Sequence, residues 1–287
     1  MQAEAVKATQ RRTVWNVLRR NLSLTAGCLI LLCVVFTALF PGLIASQSPT
    51  DQNLTAMLAA PSAQHIWGTD ELGRDVFTRM VYGARVSLSV SFTGVMGGSI
   101  IGVLMGVCAG YFGGWVDTLV SRVIDILLAF PGLLLAITIV AILGNGTENT
   151  AVAIGIFSIP SMARMMRGIA ISLKGAEYIQ ACNVMGAGSS RIILTHIVPN
   201  CVSQMIVNVT LNLGTAILTA SSLSFLGLGV QPPNPEWGAM LSSAREVLRT
   251  YPQMALVPGI AITVVVLSFS LVGDGLRDAL DPKLKNS

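Results

Sequence analysis

The residue types that usually carry catalysis are few in this sequence and lie apart from its apolar stretches. The two histidines, His65 and His196, fall in polar segments, and His65 has no second metal ligand near it in the sequence. The five cysteines include no CxxC pair, so we interpret them as small packing residues. The sequence contains no GxxxxGK[ST] phosphate loop, so it cannot bind ATP by that route. These residues predict no metal site and no catalytic centre.

Uncharged polar side chains recur at helical spacing within the apolar stretch Cys201–Leu228. Steps of four, three, four and three residues place them on one helix face. Polar groups at membrane depth face a neighbouring helix or a water-filled cavity, so two interpretations stay open. They form hydrogen bonds between helices, or they line a pathway for a polar solute. The candidate pathway residues are Asn208, Asn212, Thr215, Thr219 and Ser222.

The elements that must position this polar face are membrane-spanning helices. Of the 287 residues, 53% are hydrophobic and 11% are charged, whereas a soluble domain carries roughly 25% charged residues. Long uncharged stretches approach the roughly 20 residues that cross a bilayer. We therefore predict an all-α integral membrane protein with six transmembrane helices. The predicted spans are Leu22–Ile44, Val86–Ala109, Ile126–Leu143, Ala151–Ala163 with a short polar extension, Cys201–Leu228 and Leu256–Val272.

Two of these spans have an alternative. The first is longer than the apolar core of a signal peptide, and the residues before Ser46 form a poor cleavage site, so we interpret it as an uncleaved helix. The fourth is short, contains Pro160 and runs into Arg164 and Arg167. Helix tilt or a thinned bilayer accommodates it. Omitting it would place two cation-bearing loops on opposite sides of the membrane.

The distribution of Lys and Arg predicts the orientation. With a cytoplasmic N-terminus, 13 of the 18 cationic residues fall on the cytoplasmic side. Because cytoplasmic loops are enriched in Lys and Arg, we expect both termini to be cytoplasmic.

The second span carries a glycine at every fourth position. Small residues at this spacing allow two helix backbones to approach closely in lipid. The pattern indicates either generic packing or a helix that lies deep in a multi-helix core, within this chain or against a partner. The glycines are Gly94, Gly98, Gly102, Gly106 and Gly110.

The polar segment between the fourth and fifth spans predicts a helix–turn–helix. A short helix starts at Glu177, and its acidic residue suits a helix N-terminus. Gly186 is placed to end that helix. Ser189 is placed to cap a second short helix that runs to about His196, after which Pro199 turns the chain into the fifth span. Such a rigid projection on the cytoplasmic face can pass motion to the spans it connects.

This segment resembles the coupling loop in permease subunits of binding-protein-dependent ABC importers, which has a Glu-Ala-Ala, Gly and Ile-x-x-Pro-type pattern. Here the triplet is Gln180-Ala181-Cys182, so the Glu and the second Ala are replaced. The resemblance implies that this segment contacts an ATPase. The implied coupling residues are Glu177, Gln180, Ala181, Cys182, Gly186, Ile197 and Pro199.

Further motifs resemble the C-type subunit of the peptide-type permeases, which import dipeptides, oligopeptides, glutathione or nickel. The resemblance covers nearly the whole chain after about Trp15. It implies a type I ABC importer permease fold in the bacterial inner membrane, with the substrate left open. The motifs are Gly68–Asp70, Leu72–Asp75, Tyr82–Arg85, Gly110–Gly114, Ser224–Gly229, Pro235–Gly238 and Gly273–Pro282.

The resemblance also implies the partners and the organisation. The partners are a second permease, one or two cytoplasmic ATPase subunits that use ATP and Mg, an extracytoplasmic substrate-binding protein and the lipid bilayer. No nucleic acid is expected, and the chain itself binds no cofactor. The expected organisation is a cytoplasmic segment 1–21, a first helix 22–44, a periplasmic loop 45–85, a five-helix core 86–273 with cytoplasmic coupling loop 174–200 and periplasmic loop 229–255, and a cytoplasmic tail 274–287.

Three further alternatives remain. The mixed-charge loops Ser46–Arg85 and Gln231–Pro252 are either solvated or form a docking surface for the binding protein. A proton- or ion-coupled secondary transporter or channel that acts without an ATPase would need carboxylates at membrane depth, and the predicted spans lack them. An intramembrane serine protease would need a Ser–His pair inside the membrane, and both histidines lie outside the spans. We therefore expect a non-catalytic transport subunit.

Overall fold

The computed structural model describes residues 21–280, so nearly all of the predicted segment 1–21 and residues 281–287 of the predicted tail lie outside the described residues. Within this range the regular elements are helices, with one isolated bridge between Thr69 and Asp75. The helices are α1 (Leu22–Leu39), α2 (Val76–Phe112), α3 (Gly114–Ala129), α4 (Gly132–Leu143), α5 (Thr147–Lys174), α6 (Glu177–Val184), α7 (Ser189–Phe225), α8 (Trp237–Ala244) and α9 (Gln253–Leu280), with single turns at Pro41–Ile44 and Leu54–Ala56.

Five helices in the described range are long and apolar enough to cross a membrane, namely α1, α2, α5, α7 and α9. The pair α3–α4 makes a sixth if it counts as one span, but it is bent by 93°. The predicted third span, Ile126–Leu143, is therefore not one straight helix. Pro131 provides the reason, because it lacks an N–H and holds Phe130 in an extended conformation.

Helix α2 begins at Val76 and not at Val86, inside the predicted loop 45–85. Its start is fixed by Asp75, whose Oδ2 accepts the Thr78 N–H at 2.7 Å. Arg79 and Arg85 end the apolar stretch in the sequence but not the helix. Hydropathy alone therefore placed this helix start too late.

The other spans also differ at their ends. Helix α5 is a full-length helix despite Pro160, so the short fourth span was drawn too narrowly. Helix α9 exceeds the predicted Leu256–Val272 at both ends, and residues 274–280 of the predicted tail are helical. Helix α1 stops at Leu39, before a break at Phe40, and α7 stops at Phe225, shortly before Gly227 with φ +78°.

The centre of the molecule is the contact between α2 and α5. All five predicted packing glycines of α2 face α5. A Cβ added to Gly94 would lie 2.7 Å from the Ala151 carbonyl oxygen, and one on Gly110 would lie 2.6 Å from that of Arg167. The two backbones are therefore in contact, and the helix that the glycine face packs against belongs to the same chain.

The bundle has two ends of different character. Residues 175–197, which we call the helical hairpin, follow α5 and include the first turns of α7. We call the end of the bundle that carries them the hairpin end. Gly275 of α9 packs against Leu24 of α1, and Arg277 lines a cavity with Ser203 of α7, so both ends of the described chain lie at the hairpin end. The opposite end, the loop end, carries residues 45–75 and 226–252.

Candidate functional site

The first arm of the helical hairpin ends at Gly186, as predicted from the sequence. Helix α6 is followed by Gly186 with φ +81°. The Gly186 N–H donates to the Asn183 carbonyl, and the Ala187 N–H donates to the Cys182 carbonyl, both at 3.0 Å. These two bonds form a Schellman motif, which satisfies carbonyls at the end of the helix and fixes the direction of the turn.

The second arm differs from the prediction. Gly188, and not Ser189, is the N-cap residue, and Ser189 is the first residue of α7. Pro199 does not turn the chain, because it lies inside the continuous helix Ser189–Phe225. A π-helical turn at Ile193–Ile197 precedes this proline, which has no N–H to donate to the preceding turn. The second arm is therefore the start of α7 itself.

The base of the helical hairpin is fixed in an apolar core. Ile179, Ile192 and Ile197 have no exposed surface, and they pack in one cluster with Met166 of α5 and Tyr111 of α2. Side chains of both arms therefore contact the long helices directly. The base of the hairpin and the two long helices therefore share one packed core, and such closely packed interiors transmit strain.

The tip of the helical hairpin is apolar and exposed. Val184 and Met185, beside the turn between the two arms, are 89% and 79% exposed, and Leu194 on the second arm is 68% exposed. Among the predicted coupling residues, Cys182 is half-buried and Ile197 is buried. Gln180 donates to the Gly175 carbonyl at 3.2 Å. The exposed members of that set are Glu177, Gln180, Ala181, Gly186 and Pro199.

Two ion pairs connect α3 to α5 near the hairpin end. Arg167 makes a two-pronged contact with Asp117, with Nη2 2.7 Å from Oδ2. Arg164 lies 3.6 Å from Asp125, and these two side chains are 63% and 59% exposed. The first pair is fixed by geometry, whereas the second is loose and solvated.

The predicted polar face of α7 divides into two parts. The Asn212 amide donates to Asn208 Oδ1 at 2.7 Å, and the Asn208 amide donates to Ser161 Oγ of α5 at 3.3 Å. Thr219 is buried and donates to the Thr215 carbonyl one turn back, at 2.9 Å. The Thr215 and Ser222 hydroxyls also donate within α7. Among these bonds, only the one that Asn208 donates reaches another helix, and Asn212 is joined to α5 through Asn208.

The two amides line open cavities that meet at Met165. One cavity, of about 380 Å³, contains Asn208, and the other, of about 540 Å³, contains Asn212. The first is lined by Met165, Ser203, Gln204, Val207, Asn208, Leu211, Arg277 and Leu280. The second is lined by Leu128, Phe157, Pro160, Ser161, Arg164, Met165 and Asn212.

The loop end holds a buried ionic cluster that the sequence did not reveal. Arg74 and Arg79 are only 3% and 4% exposed. Asp70 Oδ2 lies 2.7 Å from Arg74 Nε and 3.4 Å from Arg79 Nε, and Asp70 Oδ1 accepts the Leu72 N–H at 3.0 Å. The solvated-loop interpretation is therefore wrong for these residues. The closely spaced charged residues of the Gly68–Asp70 and Leu72–Asp75 motifs are the sequence feature that could have indicated this cluster.

His65 also has a partner that its immediate sequence neighbours did not show. Its Nδ1 lies 3.0 Å from Oδ1 of Asp75, the residue that caps α2. Within residues 21–280 no three His, Cys, Asp or Glu side chains come together in a way that could hold a metal ion. His65 therefore connects the loop that precedes α2 to the N-cap residue of that helix.

Glu236 and Trp237 attach α8 to α2. Glu236 is 1% exposed; its Oε2 accepts the Ala239 N–H at 2.8 Å and its Oε1 accepts the Ser87 hydroxyl at 3.1 Å. Burial raises the pKa of Glu236, and these hydrogen bonds act in the opposite direction. Trp237 Nε1 donates to the Met80 carbonyl at 3.1 Å. The loop end is therefore closed by specific buried contacts.

Sequence comparison identifies the family. Residues 98–286 match the family described as "Binding-protein-dependent transport system inner membrane component", and residues 9–61 match "N-terminal TM domain of oligopeptide transport permease C". The chain belongs to this family of inner membrane transport components. The resemblance drawn from the motifs is confirmed.

Full-length relatives agree with this assignment. The chain is 48% identical over 275 residues to the dipeptide transport system permease protein DppC of Alkalihalophilus pseudofirmus, covering 96% of this chain and 90% of the relative. It is 44% identical over 279 residues to the glutathione transport system permease protein GsiD of Pectobacterium atrosepticum, covering 97% and 93%.

A solved structure shows the fold. An inward-facing structure of the MetNI methionine ABC transporter matches with a TM-score of 0.57 at 18% identity, over 71% of this chain and 97% of that one. The all-helical bundle is thus the type I permease fold of ABC importers. These findings support an ABC importer permease over a secondary transporter that acts alone.

Proposed function

We propose that this chain is the C-type permease subunit of an ATP-driven importer of short peptides, with glutathione as a second candidate substrate. It forms half of the translocation pathway, and a related permease subunit forms the other half. The substrates named for its dipeptide and glutathione relatives support this class. The observation that carries the proposal is the helical hairpin, with its buried base and its exposed apolar tip.

In this proposal the hairpin tip docks into a groove on a cytoplasmic ATPase subunit. Val184 and Met185 supply the apolar contact, because exposed apolar patches in water mark interaction surfaces. Closure of the ATPase subunits on ATP displaces the tip. Ile179 and Ile192 pass the displacement to α5 and α7, which carry Arg164 and the two cavity amides.

The same proposal places the hairpin end in the cytoplasm and the loop end in the periplasm. The hairpin end carries Lys174, Arg191 and Arg277, in agreement with the enrichment of cations on the inner side. The loop end exposes Leu54, Met57, Ile66 and Trp67, which suit a docking surface for a substrate-binding protein.

Energy comes from the partners in this scheme. The sequence contains no phosphate loop, and in this proposal ATP and Mg are used by the ATPase subunits. The permease supplies the pathway and the mechanical connection.

The test replaces Val184 and Met185 together by Asp. We expect ATP-driven uptake of a labelled dipeptide by the reconstituted transporter to be lost, because the charges remove the apolar docking contact. Membrane insertion and assembly with the second permease should be unchanged, as measured by co-purification. The matched control replaces both residues by Leu and should transport normally. Normal uptake in the Asp variant, or loss in the Leu variant, would contradict the docking role.

A further inference from the structure

We propose that the cavity lined by Arg164 and Asn212 is a subsite for the carboxylate of the transported peptide, with Arg164 as the cation that receives it. This inference rests on the proposed function and adds the chemical group that the permease itself recognises. The subsite lies between α5 and α7, the helices joined by the helical hairpin.

The lining combines apolar walls with a few convergent polar groups. Ser161, Arg164 and Asn212 are its polar members, and its apolar members include Phe157 and Met165. This composition is typical of small-molecule sites. Among residues 21–280, none of those that line either cavity is acidic, and the neighbouring cavity adds a second cation, Arg277. The described lining therefore carries only positive charge, and Asp125, outside it, is the counter-ion that an anionic ligand would displace from Arg164.

The amides are held in place by their own hydrogen bonds. The chain of bonds from Asn212 through Asn208 to Ser161 orients both amides across the contact between α5 and α7. Each amide keeps a further donor hydrogen, since an amide nitrogen carries two. These neutral groups can hydrogen-bond a peptide backbone weakly enough to release it.

Arg164 is available to a ligand, whereas its neighbour Arg167 is not. Arg164 lies 3.6 Å from Asp125, and both side chains are well exposed, so the pair contributes little free energy and a second carboxylate can displace Asp125. Arg167 lies one turn further along α5, holds both oxygens of Asp117, and lines neither cavity. Arg164 and Arg167 of α5 therefore differ, because the ion pair of Arg164 is loose and that of Arg167 is held by two hydrogen bonds.

The ligand class follows from guanidinium chemistry. Arginine binds a carboxylate through two parallel hydrogen bonds. A dipeptide with a free C-terminal carboxylate provides this group, and its C-terminal amide does not. Because Arg164 is solvated, we expect the contact to be weak, as a pathway that must release its substrate requires.

The experiment uses the complete reconstituted transporter with its binding protein. A labelled dipeptide is supplied as the free acid or as the C-terminal amide, each at a concentration shown to saturate the binding protein. The ratio of the two maximal uptake rates then reports on the permease. We expect the wild type to favour the acid, and Arg164→Gln to slow uptake of the acid about three- to fivefold while leaving the amide unchanged. Arg164→Lys should keep most of the preference.

Arg167→Gln is the matched control. It should reduce assembly or both uptake rates together, because it breaks the contact between α3 and α5, and the ratio of acid to amide should not change. Equal rates for acid and amide in the wild type would overturn the inference. An equal loss of the acid and amide uptake rates in Arg164→Gln would also overturn the inference, and would indicate that Arg164 binds a lipid phosphate or acts structurally. A wild type that takes up neither peptide with ATP would contradict the proposed function as well.

Discussion

The two ends of the bundle differ in how they hold two arginines, Arg79 and Arg164. At the loop end Arg79 is 4% exposed and contacts Asp70, Pro49 and Pro233. At the hairpin end the Arg164 side chain is 63% exposed and has a distant, solvated counter-ion. A buried ion pair broken on one side is costly, whereas an exposed pair contributes little. Arg79 is therefore held in a buried ionic cluster at one end, whereas at the other end Arg164 is solvated and only loosely paired.

The α2–α5 contact connects these two ends. Because its glycines bring the two backbones together from Gly94 to Gly110, along most of α5 and the second half of α2, the pair is suited to move as one body. The following substitutions test the contrast between the ends and the rigidity of this connection, from the largest expected effect to the smallest.

The largest effect should come from Arg79→Ala at the loop end. The change leaves Asp70 with one fewer cation and leaves the Pro49 carbonyl without its donor. We expect a loss of about 3–5 kcal/mol in the free energy of unfolding, the usual consequence of breaking a buried pair. Thermal unfolding in detergent measures it. Arg85→Ala, an exposed arginine on the same helix, is the control and should change stability little. Equal unfolding temperatures of the two variants would show that the buried charges do not stabilise the loop end.

Gly98→Ala tests the connection between the ends. The added Cβ would collide with the Gly155 carbonyl and the Ser158 hydroxyl oxygen, so we expect about 1–3 kcal/mol of destabilisation. Gly97→Ala is the control, since no atom lies within 4 Å of its Cβ position, and it should be neutral or slightly stabilising. The two adjacent variants are compared by thermal unfolding. Similar destabilisation by both variants would mean that helix propensity, and not the contact with α5, determines the stability change at these positions.

Gly186→Ala tests the turn of the helical hairpin. At φ +81° an alanine is strained by about 1–2 kcal/mol, so the hairpin should loosen and amide hydrogen exchange of residues 183–187 should accelerate. Gly188→Ala, at φ −66°, should leave exchange unchanged or slower. Unaltered exchange in Gly186→Ala would show that the Schellman motif does not hold the tip in place.

The smallest effect is a pH dependence at the loop end. Burial raises the native pKa of Glu236 above its ordinary value of 4.5, so the folded state holds the proton more tightly. This contribution to stability is full below pH 4.5 and is lost as the pH rises through the native pKa. Glu236→Gln should flatten the fall of the unfolding temperature with pH in that window, whereas Glu246→Gln, an exposed control in the same loop, should not. Parallel pH profiles for the wild type and Glu236→Gln would refute the assignment.

Local features were predictable from the sequence, and long-range ones were not. The turn at Gly186 depends on neighbouring residues alone, and the spacing of the α2 glycines defines a helix face without its partner. The ionic cluster escaped notice because hydropathy treats arginine as exposed. The cluster is covered by residues that are distant in the chain, since Met240 and Ala244 of α8 lie beside Arg74 and Arg79 and the Pro233 carbonyl accepts from Arg79. The bend at Pro131 was missed because the apolar residues on both sides form one continuous stretch.

The central claim is that this permease contains the pathway but receives its driving force through the helical hairpin. The most direct measurement is dipeptide uptake into vesicles that contain this chain, the second permease, the ATPase subunits and the binding protein, compared with vesicles that lack only the ATPase subunits. We predict concentrative uptake in the first and none in the second, with loss of uptake when Val184 and Met185 are both replaced by Asp in the complete system. Concentrative uptake without any ATPase subunit would contradict the account.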